Sequence, residues 1–86
     1  MTTYGDRLKE AVARQLKAER AAAGMTQIQV AEKVGQDKQT VMRNEAGKRD
    51  ISIAELGQLA DVFGITPQEL LRRAEERIQK SGGTDS

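Results

Sequence analysis

The chain has 86 residues, 14 basic and 13 acidic side chains and a net charge of +1, which makes one small domain too short for two cores. It has no Cys and no His, so a disulfide framework, the usual zinc sites, a thiol nucleophile and the commonest general base are excluded. The opening MTTYGDRLKE has no apolar run behind it and no stretch approaches the length of a membrane span, so neither a signal peptide nor a membrane segment is expected.

Glycines and capping residues divide the chain into five helical segments, and no stretch alternates as a strand does. The first helix runs from about Tyr4 to Ala23. Leu8, Val12 and Leu16 recur every four residues with Ala11 beside them, and Gly24 ends the helix as a left-handed cap. Thr26-Gln27-Ile28-Gln29 is a capping box that opens a second helix, ending at Val34 before Gly35. Asp37 caps a third, which ends near Gly47. Ser52-Ile53-Ala54-Glu55 is another capping box and opens a fourth helix that stops at Gly64. In Thr66-Pro67-Gln68-Glu69 a cap, a proline at the first helical position and a first-turn acid open the fifth, which reaches about Gln79. The tail SGGTDS is expected to be disordered. The expected architecture is all-α, with a five-helix domain over residues 1–80 and a tail over 81–86.

Charge is unevenly spread. Residues 50–71 hold four acids and no base, whereas Lys38, Arg43, Lys48 and Arg49 cluster with the single acid Glu45. A positive face favours a polyanion. Within Gln27 to Ala46, Val30 and Val34 share a face, Gly35 breaks the chain sharply and Val41 restarts an apolar face, a pattern that predicts a helix-turn-helix. At 100° per residue Glu45 points with Val41, and the opposite face carries Gln39, Met42, Arg43 and Ala46, with Lys38 at the edge.

The run GMTQ (24–27), VAEKVG (30–35), EAGKRD (45–50) and LADVFGITPQELL (59–71), in that order and spacing, resembles the Cro and phage-repressor family of helix-turn-helix domains, the xenobiotic-response-element type. The resemblance implies a compact bundle of the phage-repressor type that binds double-stranded DNA, usually as a homodimer, with the third helix in the major groove. Carried over by position, Lys38, Gln39 and Arg43 read bases, and Met42 can touch a thymine methyl. Gln27, Lys48 and Arg49, with Thr26 and Thr40, fall at phosphate-contacting positions. Arg20 and Glu45 match a buried structural ion pair between the first and third helices. No catalytic residue, metal or cofactor is implied, and the expected location is the cytoplasm, on the nucleoid.

Three positions depart from the family pattern. Gln36 and Asn44 stand where apolar residues are usual, and Ile51 stands where proline is common. A buried amide without a partner costs about 1–3 kcal/mol, so both amides must find hydrogen bonds or weaken the domain. Two stripes, Tyr4-Leu8-Val12 and Leu71-Ala74-Ile78, leave two readings open: they pack on each other within the chain, or they form a dimer contact. A second functional reading is an antitoxin or other protein-interaction module on the same fold, with a toxin or anti-repressor as partner and the acidic block and the long terminal helices as its docking surface.

Overall fold

The computed structural model describes residues 2–83. Five helices follow one another: α1 (Tyr4–Ala22), α2 (Gln27–Val34), α3 (Lys38–Glu45), α4 (Ile53–Val62) and α5 (Pro67–Gly83). Each starts where a side chain caps free backbone N–H groups. The Thr26 and Ser52 hydroxyls accept from the N–H of Gln29 and Glu55, whose side chains accept in return from the cap N–H, completing both expected boxes. A third box, Thr3 with Asp6, starts α1 and was not read from the sequence. The Asp37 carboxylate accepts from Thr40 N at 2.7 Å, and the Thr66 hydroxyl accepts from Glu69 N at 3.0 Å.

α5 extends to Gly83, about one turn past the expected end at Gln79. The expectation stopped just past Ile78, the last apolar residue of the stripe, but a helix needs only its own backbone hydrogen bonds to continue. Of the tail expected to be disordered, residues 84–86 lie outside the described residues.

The core is aliphatic. Leu16, Val30, Ala31, Val41, Leu59, Ala60, Leu70 and Ala74 are each no more than 3% exposed, and they come from all five helices. α1 and α5 lie against each other, so the two stripes meet inside one chain: Leu8, Leu71 and Ile78 pack on the buried cluster. Polar side chains fasten the edges of this contact. Arg73 Nη1 donates to Glu19 Oε2 at 2.7 Å, Arg77 Nε donates to Gln15 Oε1 at 2.6 Å, and the Tyr4 hydroxyl donates to Glu75 Oε2 at 2.9 Å. The pairing of α1 with α5 leaves α2 and α3 as a separate corner whose outer face is free.

Candidate nucleic-acid interface

The corner between α2 and α3 depends on one backbone conformation. Gly35 has φ 70°, ψ 31°, a left-handed geometry that a side chain disfavours, and Gln36 N donates to Ala31 O at 2.9 Å to close the turn. Asp37 then caps α3. The bond from Thr40 N holds the Asp37 carboxyl below its ordinary value, so the cap stays ionised at the positive end of the helix.

α3 has two unlike faces. Val41 and Asn44 point inward and are 2% exposed each. Lys38, Gln39, Met42, Arg43 and Ala46 are exposed, as is Lys48 beyond the helix. Lys38, Arg43 and Lys48 make no ion pair among the described residues, as is also true of Arg7, Lys17, Lys33, Arg77 and Lys80, whereas Lys9, Arg14, Arg72 and Arg73 are paired with nearby carboxylates. Uncompensated positive charge therefore flanks a polar, hydrogen-bonding helix face. At the start of α2, Thr26 is exposed and its hydroxyl serves the capping box. Thr40 is half-buried within α3.

Two polar assemblies hold α3 from behind. In the first, Arg20 grips Glu45 with both prongs of its guanidinium, Nε to Oε2 at 2.7 Å and Nη2 to Oε1 at 3.1 Å. Its Nη1 donates to Met25 O at 3.0 Å, which ties in the α1–α2 connection. The Arg20 and Glu45 side chains are 18% and 7% exposed, and the bond to Glu45 pushes the guanidinium pKa further up. Gln27 Nε2 also donates to Glu45 Oε1, at 3.2 Å. Gln27, expected on a phosphate, is thus half-buried with one of its two amide hydrogens committed inward.

The second assembly answers the need of Gln36 and Asn44 for hydrogen-bond partners, which the sequence posed without naming the partners. Asn44 Nδ2 donates to Gln36 Oε1 at 3.4 Å and Gln36 Nε2 donates to Glu55 Oε2 at 2.8 Å. Arg49 Nη1 donates to Asn44 Oδ1 at 3.1 Å, and its Nη2 lies 2.6 Å from Glu55 Oε2. The ring closes, and no buried side-chain N or O among the described residues lacks a partner. Arg49 beside it, with the Ser52 N–H, holds the Glu55 carboxyl down to about 2. The two unusual amides are therefore satisfied by each other and by a charged pair. The cost falls on Arg49: expected beside Lys48 on a phosphate, it is half-buried and turned back onto the protein. Glu55 is the residue that sequence reasoning missed in this role, having been assigned only to its capping box. Its signal was present as two polar residues, Gln36 and Asn44, at inward positions that needed a partner.

The connection after α3 is also held without the family's proline. Lys9 Nζ reaches Asp50 Oδ1 at 2.8 Å and lowers its carboxyl pKa, and Ile51 packs on the core.

Comparison with known proteins agrees with this geometry. The helix-turn-helix family model HTH_3 matches residues 16–70. Among solved structures, the clp gene regulator ClgR from Corynebacterium glutamicum superposes with a TM-score of 0.85 at 22% identity, covering 91% of this chain and 83% of that one. The restriction-modification controller protein C.AhdI from Aeromonas hydrophila is 31% identical with a TM-score of 0.68, covering 71% of this chain and 92% of that one. Hydroxypropylphosphonic acid epoxidase from S. wedmorenis matches at 27% identity and a TM-score of 0.67 over 72% of this chain, but over only 33% of its own. Comparison with curated proteins gives no match. With its model match across α1 to α5 and its five-helix architecture, the chain belongs to the HTH_3 family of Cro and phage-repressor type helix-turn-helix domains.

Proposed function

We propose that this chain is a sequence-specific, double-stranded-DNA-binding transcriptional regulator that lays α3 in the major groove. The observation that carries the reading is the exposed outer face of α3, backed by the buried Val41 and Asn44 on the other side. Gln39 can pair two-pronged with adenine, Arg43 or Lys38 can donate to guanine, and Met42 can meet a thymine methyl. Lys48 and the start of α2, with Thr26 and Gln27, attract and position phosphates. The 31% identity to C.AhdI, a controller protein, supports a regulatory role. The epoxidase match spans a third of a longer chain, so that protein's activity is not carried over to this one. A cytoplasmic protein acting on the nucleoid is the corresponding setting. Among the described residues no helix is long and apolar enough to cross a membrane.

The reading includes a homodimer, whose two α3 helices meet half-sites about 34 Å apart. A dimer over such a site blocks the duplex beneath it, so repression needs no further contact. An open groove of about 360 Å³, lined by Leu8, Val12, Ile51, Leu56 and Leu71 among others, is assigned to the second copy, with Ile53, 90% exposed, nearby in the first turn of α4. The groove's Lys9 and Asp50 are paired with each other, which leaves Asp6 as the one charged lining residue without an ion pair among the described residues. The seam follows directly on Lys48 in the chain, and the molecule is 24 and 20 Å across its shorter axes. A lateral face can therefore lie within the ~17 Å that separates each recognition helix from the two-fold axis.

The protein-interaction alternative rested on the acidic block and the long terminal helices as a docking surface; α1 and α5 are packed against each other. Of the block's four acids, Asp50, Glu55 and Glu69 are paired with Lys9, Arg49, Arg72 and Arg73, which leaves only Asp61 without an ion pair among the described residues to offer a toxin or anti-repressor. Selection of bound duplexes from a random library tests the DNA reading. Enrichment of two symmetric half-sites one helical turn apart is the expected outcome, and no enrichment even at low salt would refute it.

A further inference from the structure

From the ring that joins Gln36, Asn44, Arg49 and Glu55, we infer that Arg49 is a positioning residue that fixes the tilt of α3 in the groove, and not a phosphate contact. The inference rests on the DNA-binding reading.

The four members come from the α2–α3 turn, from α3, from the α3–α4 connection and from α4, so the ring ties both ends of the recognition helix to the rest of the domain. Val41 anchors α3 by apolar contact, which attracts without direction. Hydrogen bonds constrain angle as well as distance, and a fully satisfied network makes one orientation preferred over its neighbours. Loss of the ring would leave α3 held at Val41 and at the Arg20–Glu45 pair alone, with fewer constraints on its tilt. Gln39 and Arg43 ride on that rod.

Arg49 has little reason to leave the ring for DNA. The ring uses two of its five N–H donors on a side chain 31% exposed, so swinging the whole guanidinium out to a phosphate would give up the Glu55 carboxylate at 2.6 Å, exchanging one anion for another. It would also strip the donor from Asn44 Oδ1, on a residue only 2% exposed. Lys48, exposed and unpaired among the described residues, gives up only water. Adjacent basic residues thus divide the work: Lys48 supplies charge to the backbone, and Arg49 supplies geometry to the bases.

The test measures the affinity of Arg49→Gln, Glu55→Gln, Arg49→Lys and Lys48→Ala for the selected duplex and for a duplex of scrambled sequence, across a series of salt concentrations. Circular dichroism at the binding temperature confirms that each variant is folded. Arg49→Gln should keep the wild-type salt slope while the ratio of selected to scrambled affinity falls at least about fivefold, the lower bound for one misread base pair. Glu55→Gln, which retains its capping role and adds net positive charge, should lower the same ratio. Arg49→Lys keeps the charge but not the forked geometry, and should lower it too. Lys48→Ala should instead reduce the slope by about 0.9 and leave the ratio intact.

A slope loss in Arg49→Gln equal to that in Lys48→Ala would make Arg49 a phosphate contact and overturn the inference. So would tighter binding of Glu55→Gln to both duplexes with the ratio preserved, or ratios unchanged in all three ring variants. Failure of the wild-type chain to bind any duplex is a different result: it ends the DNA-binding reading, and this inference with it, before any variant is compared.

Discussion

Replacing Arg20 by alanine removes two bonds to Glu45, at 2.7 and 3.1 Å, and one to Met25 O at 3.0 Å. Glu45 is left with a side chain 7% exposed and Gln27 Nε2, at 3.2 Å, as its remaining donor. Breaking a buried pair from one side costs about 3–5 kcal/mol, because the orphaned charge has lost water without gaining a partner. The Arg20 side chain is 18% exposed, so some water can reach the gap and the lower end, about 3 kcal/mol, is expected. A domain of this length has about 4–13 kcal/mol in total at 0.05–0.15 kcal/mol per residue. The change therefore removes about a fifth or more of its stability and lowers Tm by about 12–24 °C. Thermal and urea unfolding followed by circular dichroism measure it. Replacing the whole pair, Arg20→Met with Glu45→Leu, should recover most of the loss, since apolar residues of similar volume leave no stranded charge. A cost below about 1 kcal/mol for Arg20→Ala, the range of exposed pairs, would refute the reasoning. So would a double variant as unstable as the sum of the two single ones.

Gln39→Ala should lose about 1–3 kcal/mol of binding at one base pair and leave the preference elsewhere in the site intact, as read by selection with the variant. Lys48→Ala should weaken binding to all sequences alike and flatten the salt dependence; equal losses for every sequence in both variants would show that the roles are wrongly assigned. The carboxyls of Glu55 and Glu69 are lowered from 4.5 to about 2, by Arg49 and by Arg72 with Arg73. A depressed folded pKa contributes stability fully above about pH 4.5 and loses it as pH falls towards 2, so Tm should decline through that window. Glu55→Gln should make the decline shallower, whereas Glu69, more open to water, should matter little; an equally steep acid limb in Glu55→Gln would count against the ring's charge pair. Ile53→Asp, at a side chain 90% exposed, should leave the fold unchanged but abolish cooperative binding to paired half-sites while sparing a single half-site. Cooperativity that survives it places the dimer seam elsewhere.

The helices were legible because their start signals are local. The boxes at Thr26 and Ser52, the cap at Asp37, the proline at position 67 and the left-handed glycines each act within four residues, so one stretch of sequence contains both partners of the interaction. The outward position of Lys38, Gln39, Met42 and Arg43 was legible for the same reason, since helical periodicity ties their direction to that of Val41. The end of α5 was less so, because continuing a helix needs no side-chain signal at all.

What the sequence by itself determined is the set of elements, the all-α class and the two faces of α3, all of them consequences of short-range rules. What only the tertiary structure decided is which polar groups spend their hydrogen bonds on the protein. Arg49 and Lys48 are neighbours with the same charge, yet one closes a ring through Glu55 while the other faces solvent. Gln27 and Arg20 come together on Glu45, and the two apolar stripes of α1 and α5 meet each other, across separations in the chain that no periodicity reports. Such contacts depend on the placement of several helices at once, and a side chain's choice between water, a ligand and an internal partner is settled only by which of them lies within about 3 Å.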